Sequence, residues 1–127
     1  MTSDVARLAE GKYLLLTTFR KDGTPVPTPV WVTGDDGGLI VWTAADSGKV
    51  KRIRRNRDVE VGPCDVRGNP TGASVPARAE ILDDAGSDRA RELIARKYGI
   101  LGRITMFGSR LRRGRKGTVG IAVTSST

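Results

Sequence analysis

Leu39-Ile40-Val41-Trp42-Thr43-Ala44-Ala45-Asp46-Ser47-Gly48-Lys49-Val50-Lys51-Arg52-Ile53-Arg54-Arg55-Asn56 passes from strand chemistry to helix chemistry within a few residues. The apolar run 39–42 has the length and makeup of a buried strand. Asp46 or Ser47 offers a helix N-cap, and Val50 and Ile53 share one helix face. Between them, Ser47-Gly48-Lys49 sets a hydroxyl, a residue without Cβ and an ammonium at a helix N-terminus. Free amides and the helix dipole favour an anion there. Lys49, Lys51, Arg52, Arg54 and Arg55 add positive charge in and after the turn. Two readings fit these residues: a phosphate site, or a capped short helix with a solvated basic face. The spacing matches neither Gly-x-x-x-x-Gly-Lys-Ser/Thr nor Gly-x-Gly-x-x-Gly.

Upstream, Ser3 is positioned to cap a short helix over residues 3–10, and Lys12 to Phe19 predicts a strand. Asp22-Gly23 is a hairpin signal. The next strand, from Pro25 to Thr33, carries alternate prolines at 25, 27 and 29. Each proline removes a ladder donor, so the first half must be an edge strand or a partly unpaired, extended segment. Spacing by two puts the three rings on one side and Val26, Thr28 and Val30 on the other. Residues 34–38 form a turn before the strand that opens this section.

Downstream, strands are predicted from Asp58 to Val66, Ala73 to Leu82 and Thr118 to Thr124. Val75, Ala77, Ala79 and Ile81 should share a face. Ser87 is expected to cap a second helix with Ala90, Leu93, Ile94 and Tyr98 on one side and Gly99 at its C-terminus. Residues 100–111 read as a glycine-interrupted helix or a loop. Arg110, Arg112, Arg113, Arg115 and Lys116 form a second basic cluster. Six strands joined mostly as hairpins predict a mainly β fold with helices (α+β). That is a single domain over 1–127, closed or nearly closed as an antiparallel barrel, with the helix after Ser47 at one end.

Composition limits the chemistry. A net charge of +8, from 22 Lys and Arg against 14 Asp and Glu, calls for an anionic partner. There is no histidine, so no Ser-His-Asp or Cys-His arrangement exists. One cysteine, Cys64, supplies neither a disulfide nor an ordinary zinc site. No apolar run reaches the ~18 residues of a membrane span, and Met1-Thr2-Ser3-Asp4 does not open a secretion signal. The expected compartment is the cytoplasm. With so few groups for proton transfer, a cofactor would carry the difficult step of any reaction.

Leu15-Leu16-Thr17-Thr18-Phe19-Arg20-Lys21-Asp22-Gly23-Thr24-Pro25-Val26-Pro27-Thr28-Pro29-Val30-Trp31-Val32, the turn Trp42-Thr43-x-x-x-Ser47-x-Lys49, Ile53-x-x-Asn56 and the ending Ser109-Arg110-Leu111-Arg112-Arg113-Gly114-Arg115-Lys116-Gly117-Thr118-Val119-Gly120-Ile121 resemble the split β-barrels of the pyridoxamine 5′-phosphate oxidase family. They are most similar to its actinobacterial branch using the deazaflavin coenzyme F420. The resemblance implies a six-stranded split barrel that dimerises and an oxidoreductase that moves a hydride between F420 and a small organic substrate at the subunit groove. It implies that Thr43, Ser47, Gly48 and Lys49 hold the cofactor phosphate, with Lys51 and Arg52 beside them. Thr28, Pro29 and Val30 would run along the ring, and Trp42 occupies an aromatic position just before the phosphate-binding threonine. Arg110 to Lys116 would meet an acidic tail.

Two departures stand out. Thr28 occupies a position where vitamin B6 oxidases carry a phosphate-binding arginine, and their substrate-binding histidine is missing. Both argue against vitamin B6 oxidation and weaken FMN as the cofactor. The alternatives are an FMN-binding enzyme of the same fold, a non-catalytic F420-binding protein, and a nucleic-acid-binding barrel. The last is disfavoured because no basic-aromatic alternation is present. Tyr13, Tyr98 or water are the candidate proton donors, and no side-chain nucleophile is expected.

Overall fold

The computed structural model describes residues 4–35, 37–113 and 117–125, with the backbone alone at residue 4 and over 100–113. Asp4–Arg7 form α1, extended by a 3₁₀ turn over Leu8–Glu10. Val5 enters the core, and Leu8 and Ala9 pack against it. The expected cap Ser3 lies outside the described residues.

β1 (Leu14–Phe19) and β2 (Pro25–Val30) make the hairpin that Asp22-Gly23 predicts. The Gly23 N–H donates to the Arg20 carbonyl at 2.9 Å, and the Asp22 carboxylate accepts the Thr24 N–H at 3.0 Å. Along β2 the three prolines are exposed, while Val26 and Thr28 are half-buried and Val30 is buried. Because prolines alternate, every amide that would face one side of β2 is missing. β2 can pair only with β1, which makes it an edge.

The segment expected as one strand is cut at Trp31. β3 (Val32–Asp35) pairs with β4 (Gly38–Ala44), not with β1. α2 (Gly48–Arg55), β5 (Asp58–Pro63), β6 (Val75–Ile81), α3 (Asp84–Arg113) and β7 (Thr118–Ser125) follow. All seven strands form one antiparallel sheet in the order β2-β1-β5-β6-β7-β4-β3. Its two edge strands are consecutive in the chain, so the sheet curls until its edges meet at Trp31. The six-strand expectation therefore becomes seven, because one strand serves both edges of a split barrel.

The inner face of the sheet carries Leu14, Leu16, Val32, Leu39, Val41, Val61, Ile121 and Val123, each at most 1% exposed. α2 lies against β1 and β6. Its Val50 and Ile53 are 0% and 1% exposed and belong to the same core. Burying two such side chains is worth about 1.5–3 kcal/mol each, enough to seat this short helix in the barrel end.

α3 corrects the expected cap. It begins at Asp84, and Asp83 accepts the Gly86 N–H at 2.8 Å. Ser87 sits inside the first turn. Its buried hydroxyl accepts the Gly120 N–H at 2.9 Å and donates to the Leu82 carbonyl. A carboxylate one residue ahead of the helix outcompetes a hydroxyl that the sheet already uses. Ala90 and Ile94 are fully buried, and Ala90 packs onto the backbone at Gly120. Gly99 ends the first helical segment with φ 65° and ψ −144°, and the backbone then resumes a helix to Arg113. Of the two readings of 100–111, the helix is the one found.

Candidate functional site

The turn after β4 is tight. The Ser47 N–H donates to the Ala44 carbonyl at 3.2 Å, and the Ala45 N–H to the Gly117 carbonyl at 3.0 Å. Ser47 occupies the N-cap with an extended backbone, but its hydroxyl caps nothing. Its Oγ is buried without a hydrogen-bond partner. Such an atom loses water on folding and gains nothing in return.

α2 has three stripes. Val50 and Ile53 face the core, and Lys51 and Arg54 face solvent. The third stripe is Lys49, Arg52 and Arg55, spaced three apart, and it lies over the end of β1. Lys49 Nζ donates to Thr43 Oγ1 at 2.9 Å. Arg52 Nε donates to Thr18 Oγ1 at 2.6 Å, and Arg55 donates to the Phe19 carbonyl at 3.0 Å. At Gly48 an added Cβ would lie 2.7 Å from the Arg52 guanidinium, so its bare Cα leaves room for Arg52 to fold back.

These cations crowd one another. Burial pushes the Lys49 ammonium below the ordinary lysine range, and the Arg52 charge pushes the same way. Arg52 is lowered first by burial, then by Arg20 and Arg55. Neither Lys49, Arg52 nor Arg55 has a carboxylate partner among the described residues, and Arg20 feels only the charge of the exposed Asp22 without a close ion pair. Neutral oxygens hold Lys49, Arg52 and Arg55 in place, and their excess charge is left for an anion.

The structure thus gathers Thr43, Ser47, Gly48, Lys49 and Arg52. It adds Thr18, Arg20 and Arg55, which the sequence-based site omits. The i, i+3, i+6 spacing of Lys49, Arg52 and Arg55 was a readable signal, whereas Thr18 and Arg20 join through tertiary contact. Lys51 falls on the solvent stripe, apart from the cluster. Thr28 and Val30 pair with Leu16 and Leu14 on the inner side of β2. Pro29 turns outward beneath Gly68, whose Cβ would sit 3.3 Å from the proline ring.

Trp42 is placed differently from Thr43. It pairs with Gly120 while Thr43 pairs with Val119, so the two side chains leave opposite faces of β4. Trp42 stands on the α3 side, with a buried, unpartnered indole N–H. The basic cluster 110–116 falls outside the residues whose side chains are described.

Tyr98, one candidate proton donor, is committed to the backbone. Its hydroxyl accepts the Val32 N–H at 3.0 Å and donates to the Lys12 carbonyl. Burial raises its pKa. The Cys64 thiol is buried, and burial followed by the Asp65 charge keeps it protonated. Among the described residues, no three His, Cys, Asp or Glu side chains converge on a metal position. No helix there is long and apolar enough to cross a membrane.

The sequence profile of pyridoxamine 5′-phosphate oxidase matches residues 4–123. The chain belongs to that family. No curated protein matches the sequence. Among solved structures, the conserved hypothetical protein Rv2991 from Mycobacterium tuberculosis superposes with TM-score 0.71 at 20% identity, covering 100% of this chain and 82% of that one. An F420 reductase superposes with TM-score 0.62 at 20% identity, covering 100% of this chain and 97% of that one. The heme storage protein HutZ from Vibrio cholerae superposes with TM-score 0.66 at 16% identity over 93% and 84% of the two chains. At these identities the likeness is one of fold. It is the fold of the pyridoxamine 5′-phosphate oxidase family.

Proposed function

We propose that this protein is an F420-dependent oxidoreductase that exchanges a hydride between the deazaflavin and a small organic substrate. The observation that carries the reading is the row of Lys49, Arg52 and Arg55, without a carboxylate partner among the described residues, beside the orphaned Ser47 hydroxyl. A cofactor phosphate would sit against Thr43, Ser47 and Lys49. Arg52, Arg55 and Arg20 extend the positive field beyond the reach of one phosphate. That favours a cofactor with further carboxylates over FMN, with a tail contact at the end of β1. The backbone of Thr28, Pro29 and Val30, at the β2 edge, would run along the ring.

Bound F420 would supply the hydride chemistry. This chain would bind the phosphate, orient the ring and leave one ring face open. The proposal includes a homodimer with the cofactor in the groove between subunits, and a cytoplasmic location consistent with a single buried, unpaired cysteine.

The test is a pair of fluorescence titrations of the purified protein, one with F420 and one with FMN, repeated on Lys49→Ala and Arg55→Gln. F420 should bind tightly and FMN weakly. Loss of a charge-assisted hydrogen bond of about 1.5–3 kcal/mol should weaken F420 roughly tenfold to a hundredfold in Lys49→Ala. Arg55→Gln should weaken F420 while leaving FMN unchanged. Preference for FMN, or indifference to both substitutions, would overturn the assignment.

A further inference from the structure

Where the chain crosses from one sheet edge to the other, it leaves a cleft of about 420 Å³ lined by Glu10, Lys12, Tyr13, Trp31, Lys97 and Tyr98. Its back wall is a pair of stacked rings, Trp31 on Tyr98, with centroids 4.5 Å apart and planes 10° from parallel. The wall is held from α3. Lys97 Nζ donates to the carbonyls of Ala9 (2.7 Å), Gly11 (2.6 Å) and Val32 (2.6 Å), which uses all three of its protons. Tyr98 is committed to Lys12 and Val32 as described.

Two polar groups at the cleft remain unused. The Lys12 ammonium and the Tyr13 hydroxyl have no hydrogen-bond or ion-pair partner among the described residues. The charges around the cleft, Lys12 and Lys97 against Glu10, leave a surplus of one positive charge. That contrasts with the unopposed row on α2. The geometry therefore combines a rigid aromatic wall, one free cation, one free hydroxyl and a volume suited to a small molecule.

We propose that this cleft binds a planar aromatic acid, with its ring against Trp31, its single carboxylate on Lys12 and Tyr13 hydrogen-bonding to it. The cleft begins one residue after Val30, where the proposed ring wall ends. It is thus placed to be the substrate subsite, and that assignment rests on the proposed function. The binding itself does not.

Calorimetry on the cofactor-free protein at constant ionic strength tests it, using 1-naphthoate and, as a probe of equal charge without a π face, cyclohexanecarboxylate. Naphthoate should bind at least tenfold tighter than cyclohexanecarboxylate. Lys12→Gln and Tyr13→Phe should each weaken naphthoate about fivefold to tenfold. Excess inorganic phosphate, directed at the α2 site, should not displace it. Equal affinity for the two acids, affinity unchanged in both variants, or displacement by phosphate would overturn the proposal. Because no cofactor is present, naphthoate binding to a protein that fails to bind F420 would uphold the cleft while overturning the proposed function.

Discussion

Lys49 shows how one side chain couples burial to recognition. Half-buried and beside Arg52, its ammonium titrates below the ordinary lysine range. An anion docking on it restores the charged form, so binding takes up protons in the interval between the lowered pKa and the higher one of the complex. Affinity is full below that interval and falls as pH rises through the lowered pKa. An F420 titration series at increasing pH should therefore weaken before ordinary lysines deprotonate, and Lys49→Arg should move the fall to higher pH. A pH-independent affinity would remove Lys49 from the site.

Ser47 makes the complementary case. Its buried Oγ bonds to nothing, so Ser47→Ala removes an unsatisfied group and not a contact. Thermal melting of Ser47→Ala without ligand should match the parent or exceed it. The same variant should bind F420 several-fold more weakly. A large loss of stability would mean that the hydroxyl caps α2 after all.

At the scale of elements, α2 and α3 do different work. α2 is too short to persist alone and is held by Val50 and Ile53, which in turn fix the third stripe over Thr18 and Phe19. α3 is held by Ala90 and Ile94, and its end delivers Lys97 and Tyr98 to the open backbone at the split. That delivery ends at Gly99, whose φ of 65° and ψ of −144° belong to a region essentially reserved for glycine. Gly99→Ala should cost about 1–3 kcal/mol, measured by urea unfolding. The space at Gly99 is open, with nothing within 4 Å of a Cβ, so the cost would come from backbone strain and not from a clash. No change in the unfolding midpoint would show that the kink relaxes freely.

At the scale of the molecule, four of the 22 basic residues, Arg20, Lys49, Arg52 and Arg55, come together where the α2 stripe meets the end of β1. Interactions of several ligand charges with several cations screen more steeply than those of one phosphate. Raising salt from about 0.05 M to about 0.5 M should weaken F420 more, in fold terms, than FMN measured in the same buffer. Equal salt dependence would place one anion, not several, on the protein.

Local pattern alone determined much of this molecule. Prolines 25, 27 and 29 made β2 an edge because donor loss is a covalent fact. Asp22-Gly23 made its hairpin, and the period of Val50 and Ile53 seated α2. Ser47, Gly48 and Lys49 marked the proposed anion site, because hydroxyl, bare Cα and ammonium meet there in any fold with that turn. Tertiary structure decided what sequence distance hides. Trp31 splits its strand because the partners on its two sides, β1 and β4, each lie one strand in from opposite edges of one sheet. Trp42 and Thr43, neighbours in sequence, part company because a strand sends successive side chains to opposite faces. Thr18 and Arg20 join Lys49 only when α2 packs on β1, and Ser87 bonds to Gly120 only when α3 meets β7. Each depends on pairing between distant segments, which hydrophobic period and turn chemistry do not encode.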